Sequence, residues 1–340
     1  MRKAAIFIFF ILSLIIIIIS SVSAQEQKPS NTVKQKESED EVVRVDTTLV
    51  SVPVRVKSRN GGYIPNLRAE DFHIFEDGVE QEIEVFETTD KPFTVALVLD
   101  ISDSTKIELR DIQNAAIAFL NQLQPADCAL IVVFDKQVVK LTEATGDRKV
   151  LSEAIRRVRT GGGTALYDAV ESLINSYLKK IGGRKAIVIL TDGIDTSSVS
   201  ATFDSTVRFA AEQYALIYPI QFNPDNLLDK KVAALDSNLG PTIYTTPSGE
   251  SISAAFERGN RYLRLLSNTS GGRFYYAASL KNLEQSFAQI ADELRQQYSI
   301  GYYPKNQARK KEKRRIKVSV SIPESKVKTR ENYIYKPESQ

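Results

Sequence analysis

Three short segments of this 340-residue chain combine hydroxyl and carboxylate side chains with glycine. Asp100-Ile101-Ser102-Asp103-Ser104 directly follows an apolar run that begins at Phe93, and Thr191-Asp192-Gly193 follows a second run that ends at Leu190. Between them, Gly161-Gly162-Gly163-Thr164 precedes a helical segment. In open α/β sheets, ligands bind beyond the carboxyl ends of the strands. We therefore expect these segments to meet at one edge of a sheet.

Oxygen atoms of these types are the ligands of a hard divalent cation. Neutral oxygens come from Ser102, Ser104 and Thr164, and negative charges come from Asp100 and Asp192. Mg²⁺ prefers oxygen ligands in octahedral geometry and keeps several waters. Because two carboxylates only balance the dication, the ion can still attract an anionic oxygen. The sequence predicts a site for Mg²⁺ (or Mn²⁺ or Ca²⁺) that binds a Glu or Asp side chain of a protein partner.

Each motif also has a purely structural explanation. Ser and Asp after a strand are common helix caps, and Gly-Gly-Gly-Thr could simply turn the chain. The presence of three motifs in this order favours metal binding. Asp103 and Asp195 lie near the motifs and are interpreted as solvated or capping residues. Asp168 either orients the Thr164 loop or lies on a helix surface.

Strand and helix signals alternate between residues 93 and 297. Apolar runs predict strands at 93–99, 129–134, 138–141, 185–190, 216–222 and 273–276. Helices are predicted at 106–123, 148–158, 165–180, 206–214, 261–267 and 280–297. Continuously apolar strands belong to a parallel sheet that is covered on both faces. The alternation therefore predicts a doubly wound, mostly parallel α/β sheet with helices on both faces.

Period-two alternation, which is typical of antiparallel strands, occurs on either side of this region. It occurs at 49–56, 72–75 and 83–86 before the α/β region, and at 298–303 and 316–322 after it. Neither set would be stable alone. We predict that they form one small β-sandwich into which the α/β domain is inserted. The predicted domains are 41–90 (N-terminal strands), 91–299 (α/β domain) and 300–340 (C-terminal strands).

The three motifs together resemble the metal-ion-dependent adhesion site of von Willebrand factor type A domains. The matching residues are Asp100-x-Ser102-x-Ser104, Thr164 in Gly-Gly-Gly-Thr-Ala-Leu-Tyr-Asp, and Asp192 in Leu-Thr-Asp-Gly. The resemblance covers roughly residues 90–299. It implies that the three hydroxyls contact the metal and that the two carboxylates act mainly through waters. The whole chain is similar to exported bacterial VWFA-related proteins.

The N-terminus has the pattern of a secretory signal. Two basic residues precede an apolar run from Ala4 to Ile19, and small residues end the segment at Ala24. This order predicts a signal peptide at 1–24 that is cleaved after Ala24. An uncleaved membrane anchor is the alternative, although the run is shorter than the roughly 20 residues of a span. Either way, we expect the protein in the periplasm, at the cell surface or in the medium. The polar residues 25–40 predict a disordered linker.

Charge and residue counts narrow the possible functions. A net charge of +3 gives no whole-molecule attraction to nucleic acid or membranes. The basic stretch Lys305–Lys317 could contact an anionic surface, but a solvated hairpin loop is the simpler interpretation. Cys128 is the only cysteine, so an intrachain disulfide is impossible; it opens an apolar run and is expected in the core. His73, the only histidine, is expected on a strand surface, which removes the usual zinc sites.

We therefore expect a binding module of an exported protein and not an enzyme. A hydroxyl-rich shell is poorly suited to generating a metal hydroxide, which argues against a metal-assisted hydrolase. A structural or envelope-assembly protein, in which the metal only stabilises the fold, is the alternative. The irregular stretch 223–259 either helps to select the partner or is a simple surface excursion.

Overall fold

The structure, a computed structural model, describes residues 49–88, 91–102, 109–222, 245–306, 308 and 310–335. The predicted signal peptide at 1–24 and linker at 25–40 lie outside these residues, as do Asp103 and Ser104. Among the described helices, none is long and apolar enough to cross a membrane.

The elements are numbered along the chain. The strands are β1 (Val50–Lys57), β2 (Phe72–Glu76), β3 (Val79–Gln81), β4 (Val85–Glu87), β5 (Phe93–Asp100), β6 (Cys128–Phe134), β7 (Val138–Lys140), β8 (Arg184–Thr191), β9 (Leu216–Phe222), β10 (Tyr275–Ala277), β11 (Tyr298–Tyr302), β12 (Glu312–Val320), β13 (Lys326–Thr329) and β14 (Asn332–Tyr335). The helices are α1 (Leu109–Gln122), α2 (Arg148–Arg156), α3 (Leu166–Ser172, continued by a π-helical turn at Leu173–Tyr177), α4 (Phe203–Glu212), α5 (Ile252–Ser270) and α6 (Leu280–Arg295).

The central sheet has the strand order β10-β9-β8-β5-β6-β7. Its strands pair in parallel except for β7, which is antiparallel to β6. Successive side chains of a strand point to opposite faces. Accordingly, Val95, Leu97 and Leu99 of β5 pack with α1, α2 and α6, whereas Ala96 and Val98 pack with α3, α4 and α5. The predicted doubly wound α/β sheet is confirmed.

Strands from both ends of the chain form two further sheets, β13-β1-β11-β4 and β14-β12-β2-β3. β1 pairs with β11 and β13, and β12 pairs with β2 and β14, all antiparallel. The two sheets share one apolar core that includes Val52, Ile74, Ile300 and Ile316. The N- and C-terminal strands thus form the predicted sandwich, and the α/β sheet lies between them in sequence.

Helix α5 corrects the interpretation of 223–259 as one irregular stretch. The helix already begins at Ile252, because Ser251 caps it by accepting a hydrogen bond from Ala254 N (3.2 Å). It ends at Ser270 and is followed by Gly271, whose φ of 84° is left-handed and therefore suits glycine. The predicted helix at 261–267 is only its central part. Residues 223–244 lie outside the described residues.

Strand β12 corrects the interpretation of 305–317 as a hairpin loop, since the strand begins at residue 312. Arg314, a buried residue of this strand, donates to Glu76 Oε1 (2.6 Å) inside the sandwich. Tyr302 and Tyr333 donate to the other oxygen of Glu76 (2.7 and 2.6 Å). A buried ionic network therefore occupies inward positions where a strand usually carries apolar residues.

Two single residues were also predicted by position. His73 is exposed on β2, with Nδ1 2.9 Å from Glu80 Oε1, as expected for a strand surface. Cys128, expected in the core, is only half-buried because it is the first residue of β6.

Candidate metal centre

The candidate site lies at β5, where the order of the strands in the central sheet reverses. From β5 the sheet continues to β6 on one side and to β8, β9 and β10 on the other. Such switch points are where open α/β sheets bind ligands. Asp100 is the last residue of β5, and Asp192 directly follows β8. Both side chains are buried, with exposures of 0% and 3%.

The Asp100 carboxylate is held by its own loop and by the neighbouring strand. Oδ1 accepts a hydrogen bond from Ser102 N (3.0 Å), and Oδ2 accepts one from the Thr191 hydroxyl (2.6 Å). The same hydroxyl accepts a bond from Gly193 N (3.0 Å). Thr191 thereby links the Asp100 segment to the Asp192 segment.

The glycine-rich segment is bonded to both of the others. Gly161 N donates to Ile101 O (2.8 Å), which ties it to the loop after β5. Thr164 N donates to Thr196 Oγ1 (2.9 Å), and Thr196 N donates back to Thr164 O (2.9 Å), which ties it to the loop after β8. The three predicted segments therefore meet at one edge of the sheet.

Glycine is required in this loop for space and for backbone conformation. A Cβ at Gly161 would collide with the side chain of Asp135. Gly163 has a φ of 70°, and a Cβ there would collide with Ser197 and Lys136. The glycines let the backbone before Thr164 approach its neighbours closely.

Burial and charge dominate the electrostatics of the site. Burial, followed by the negative charge of Asp192, raises the pKa of Asp100 to about 7, although hydrogen bonds from Ser102 and Thr191 partly offset the rise. Two carboxylates therefore lie close enough to repel each other in a buried position. A nearby divalent cation would favour the ionised form of both.

The Asp192 loop is anchored from the far side by β9 and α5. Asp192 Oδ1 accepts a hydrogen bond from Ile194 N (2.8 Å), and its carbonyl oxygen accepts one from Gln221 Nε2 (2.8 Å). The Gln221 side-chain oxygen accepts a bond from Asn260 Nδ2 on α5 (2.7 Å). This chain of bonds fixes the loop to two elements of the fold.

Comparison with known protein families identifies the domain that contains this arrangement. Residues 95–195 match the family model of the von Willebrand factor type A domain. The chain contains a von Willebrand factor type A domain. The matched segment includes Asp100, Ser102, Thr164 and Asp192. A search of the curated proteins found no match.

Solved structures with a similar fold include three from different sources. The von Willebrand factor type A protein from Catenulispora acidiphila is 9% identical, with a TM-score of 0.47. The match covers 86% of this chain and 74% of the Catenulispora chain. The vWF domain of the type V pili tip protein Mfa5 from Porphyromonas gingivalis is 14% identical, with a TM-score of 0.42. The match covers 59% of this chain and 94% of the Mfa5 chain. Proximal thread matrix protein 1 from the mussel byssus is 13% identical, with a TM-score of 0.46, and its structure is described with a zinc-occupied MIDAS motif. The match covers 64% of this chain and 49% of the mussel chain.

Two further acidic residues of the von Willebrand factor type A domain have structural roles. Asp168 accepts hydrogen bonds from the backbone of Val199 (2.9 Å) and Ala201 (2.7 Å), so it orients the loop after Asp192 and not the Thr164 loop. Burial would raise the pKa of Asp168, but these bonds lower it below its ordinary value. Asp195 accepts a bond from Tyr167 N (3.2 Å) at the start of α3, which agrees with the capping interpretation.

Sequence reasoning missed three residues that position the site. Thr191 bonds to Asp100, Thr196 bonds to Thr164, and Gln221 holds the Asp192 carbonyl. Thr191 lies next to a predicted ligand at the end of a strand, and this position was the available signal. Ser104 and Asp103 lie outside the described residues.

The residues of this domain fit a divalent cation. In the described part of the chain, no group of three or more His, Cys, Asp or Glu side chains could hold a metal ion. The predicted ligand set needs no such group, because it combines two carboxylates with hydroxyls. Asp100, Ser102, Thr164 and Asp192 are all buried, with exposures of 0–4%, on segments that are bonded to one another. The buried pair of carboxylates supplies the negative charge that such an ion requires.

Proposed function

We propose that the von Willebrand factor type A domain is a metal-dependent protein-binding module. Its ion is Mg²⁺, or alternatively Mn²⁺ or Ca²⁺, and its ligands are Asp100, Ser102, Ser104, Thr164 and Asp192. The bound ion would accept a Glu or Asp carboxylate of a protein partner. The observation that supports this most is the set of hydrogen bonds that joins the three segments around two buried carboxylates.

The proposed ligand roles rest on the contacts of Asp100 and on the resemblance to the adhesion site of von Willebrand factor type A domains. Both oxygens of Asp100 already accept a hydrogen bond from the protein, which supports contact with the ion through water. The hydroxyls of Ser102, Ser104 and Thr164 are assigned to direct contact. When bound, the ion supplies positive charge at the sheet edge, and because only two carboxylates balance it, an anionic oxygen of the partner is still attracted.

We also propose that the protein is exported, with a signal peptide at 1–24. The N-terminal pattern of basic, apolar and small residues supports this. The α/β domain is assigned to residues 91–299, between sandwich segments at 41–90 and 300–340. The pairing of β1 with β11 and of β2 with β12 supports this assignment.

Capture of partners from a cell-envelope extract tests the binding function. The immobilised protein is used in Mg²⁺, in EDTA, and as the variants Asp192→Ala and Asp292→Ala. Asp292 is an exposed residue of α6 and provides the matched control. We expect a protein that is retained by the wild type and by Asp292→Ala in Mg²⁺, and lost with EDTA or Asp192→Ala.

Retention of the same proteins in all four arms would refute metal-dependent binding. Circular dichroism of the EDTA-treated protein separates a lost contact from a lost fold. If the partner remains bound after chelation, the metal is structural at most and the proposal fails.

A further inference from the structure

The outer face of the β14-β12-β2-β3 sheet contains a groove that the metal site does not explain. Its volume is about 680 Å³, and residues of β2, β12 and β14 line it. Three of the lining residues are Lys313, Arg315 and Lys317. All three are exposed, whereas the intervening Arg314 and Ile316 are buried in the sandwich. The groove therefore has a row of cations along one strand.

The spacing of this row follows from strand geometry. Residues two apart on a strand point to the same face and are separated by about 6.6–6.8 Å along it. Lys313, Arg315 and Lys317 are thus three cations in line at that repeat. Their regular spacing distinguishes the row from scattered surface charge.

The sides of the groove are half-buried residues of the neighbouring strands. Phe75 of β2 lies opposite Lys317, and Asn332 of β14 lies opposite Arg315. Asp77 is the one acidic residue of the lining, and its Oδ1 accepts a hydrogen bond from Arg315 N (2.9 Å). The lining has three cations against one carboxylate that is engaged by the backbone.

We propose that this groove binds an extended acidic peptide segment with Asp or Glu at every second residue. An extended chain repeats its side chains on one face every two residues, at the same spacing of about 6.6–6.8 Å as the cations. Its carboxylates therefore meet Lys313, Arg315 and Lys317 one to one. A membrane surface presents a plane of charges and not a line, so it matches the groove less well.

Binding at this groove is independent of the ion proposed at the sheet edge. None of the residues that line the groove belongs to the Asp100, Thr164 or Asp192 segments. Exposed ion pairs weaken as salt shortens the screening length. Affinity for the acidic peptide should therefore fall with salt and be unaffected by EDTA, whereas partner binding at the metal edge should be abolished by EDTA.

Fluorescence anisotropy with a labelled peptide of alternating Glu and Ser residues, containing four Glu, tests the proposal. The full-length protein is titrated in EDTA as wild type, as K313Q/R315Q/K317Q, and as the control K149Q/K179Q/K180Q. The control removes three exposed lysines of the α/β domain and changes the net charge equally. We expect at least about tenfold weaker binding for the groove variant, ~1.4 kcal/mol, and no change for the control.

A second peptide with the same composition but four contiguous Glu residues tests the spacing. If it binds as tightly as the alternating peptide, the match of repeats is refuted. Equal losses of peptide affinity in the groove and control variants would show that only net charge matters, and the groove would be refuted as the binding site. Groove-dependent binding of dextran sulfate or phosphatidylglycerol vesicles, without binding of the alternating peptide, would overturn the proposed occupant.

Discussion

Thr191 links the segment of Asp100 to the segment of Asp192, at the sheet edge that we propose binds the ion. Its hydroxyl donates to Asp100 Oδ2 (2.6 Å) and accepts a hydrogen bond from Gly193 N (3.0 Å). The side chain is fully buried, so water cannot replace it in either bond. One hydroxyl thus orients a proposed ligand and also the loop that carries the other carboxylate.

Thr191→Val keeps the shape of this residue and removes both bonds. We expect the free energy of unfolding to fall by about 1–3 kcal/mol, because Asp100 and Gly193 N are left without their buried partner. Urea unfolding in EDTA measures this effect without a contribution from metal binding. Thr94→Val, at the half-buried start of β5, is the control and should change stability by less than about 1 kcal/mol. Equal changes in both variants would contradict the role of Thr191.

The sequence identifies some of these residues better than others. Asp100 and Asp192 were predictable because each follows an apolar run, and the carboxyl ends of parallel strands meet at one edge. The roles of Thr191 and Gln221 were not predictable, because their partners depend on which strands are neighbours in the sheet. The pairing of Leu99 with Leu190 is what brings Thr191 beside Asp100.

At the scale of elements, α5 packs directly against the loop that carries Asp192. Gly259 in the helix faces Gly193 so closely that a Cβ at position 259 would collide with the Gly193 backbone. Glycine is unfavourable inside a helix, which made residues 252–259 look irregular in the sequence. The contact with Gly193 is the physical reason for this glycine.

Gly259→Ala has two opposing effects on stability: it raises helix propensity, and it places a Cβ against the backbone of Gly193. Alanine would favour the helix by about 1 kcal/mol, but overpacking against backbone costs about 1–3 kcal/mol and displaces the Asp192 loop. We expect a net loss of stability in urea unfolding together with weaker Mg²⁺ binding. Glu257→Ala, exposed on the same helix, should leave Mg²⁺ binding unchanged. A Gly259→Ala protein that is more stable and binds Mg²⁺ normally would contradict the packing argument.

Strand β12 illustrates a second limit of prediction from sequence. Its apolar alternation is clear only from Ile316 onwards, although the strand begins at Glu312. Arg314 occupies an inward position there because it forms an ion pair with Glu76, which is buried in the same core. A charged residue at a core position conceals the period of the strand until its partner is known.

At the scale of the molecule, buried polar contacts join the sandwich to the α/β domain. Glu293 of α6 forms ion pairs with Arg55 of β1 and with Arg273 (2.8 Å to the latter). Arg330 donates to Gln213 O (2.8 Å) and is itself almost fully buried. These contacts connect the α/β domain to strand β1 and to the residue pair before β14.

Glu293→Gln removes the carboxylate between Arg55 and Arg273. Because Arg55 has an exposure of only 5%, its charge would remain buried without this partner, and we expect a loss of ~3 kcal/mol in urea unfolding. Asp292→Asn, which removes an exposed carboxylate from the next residue, should cost less than about 1 kcal/mol. Similar losses of stability in the two variants would show that the buried ion pairs of Glu293 stabilise the protein no more than an exposed carboxylate does.

Calorimetric titration of Mg²⁺ into the metal-free protein measures whether the sheet edge at Asp100 and Asp192 binds an ion. We expect one ion per chain for the wild type and for Asp292→Ala, and no measurable binding for Asp192→Ala that remains folded by circular dichroism. Equal binding of Mg²⁺ by the wild type and by folded Asp192→Ala would show that these carboxylates do not form a metal site.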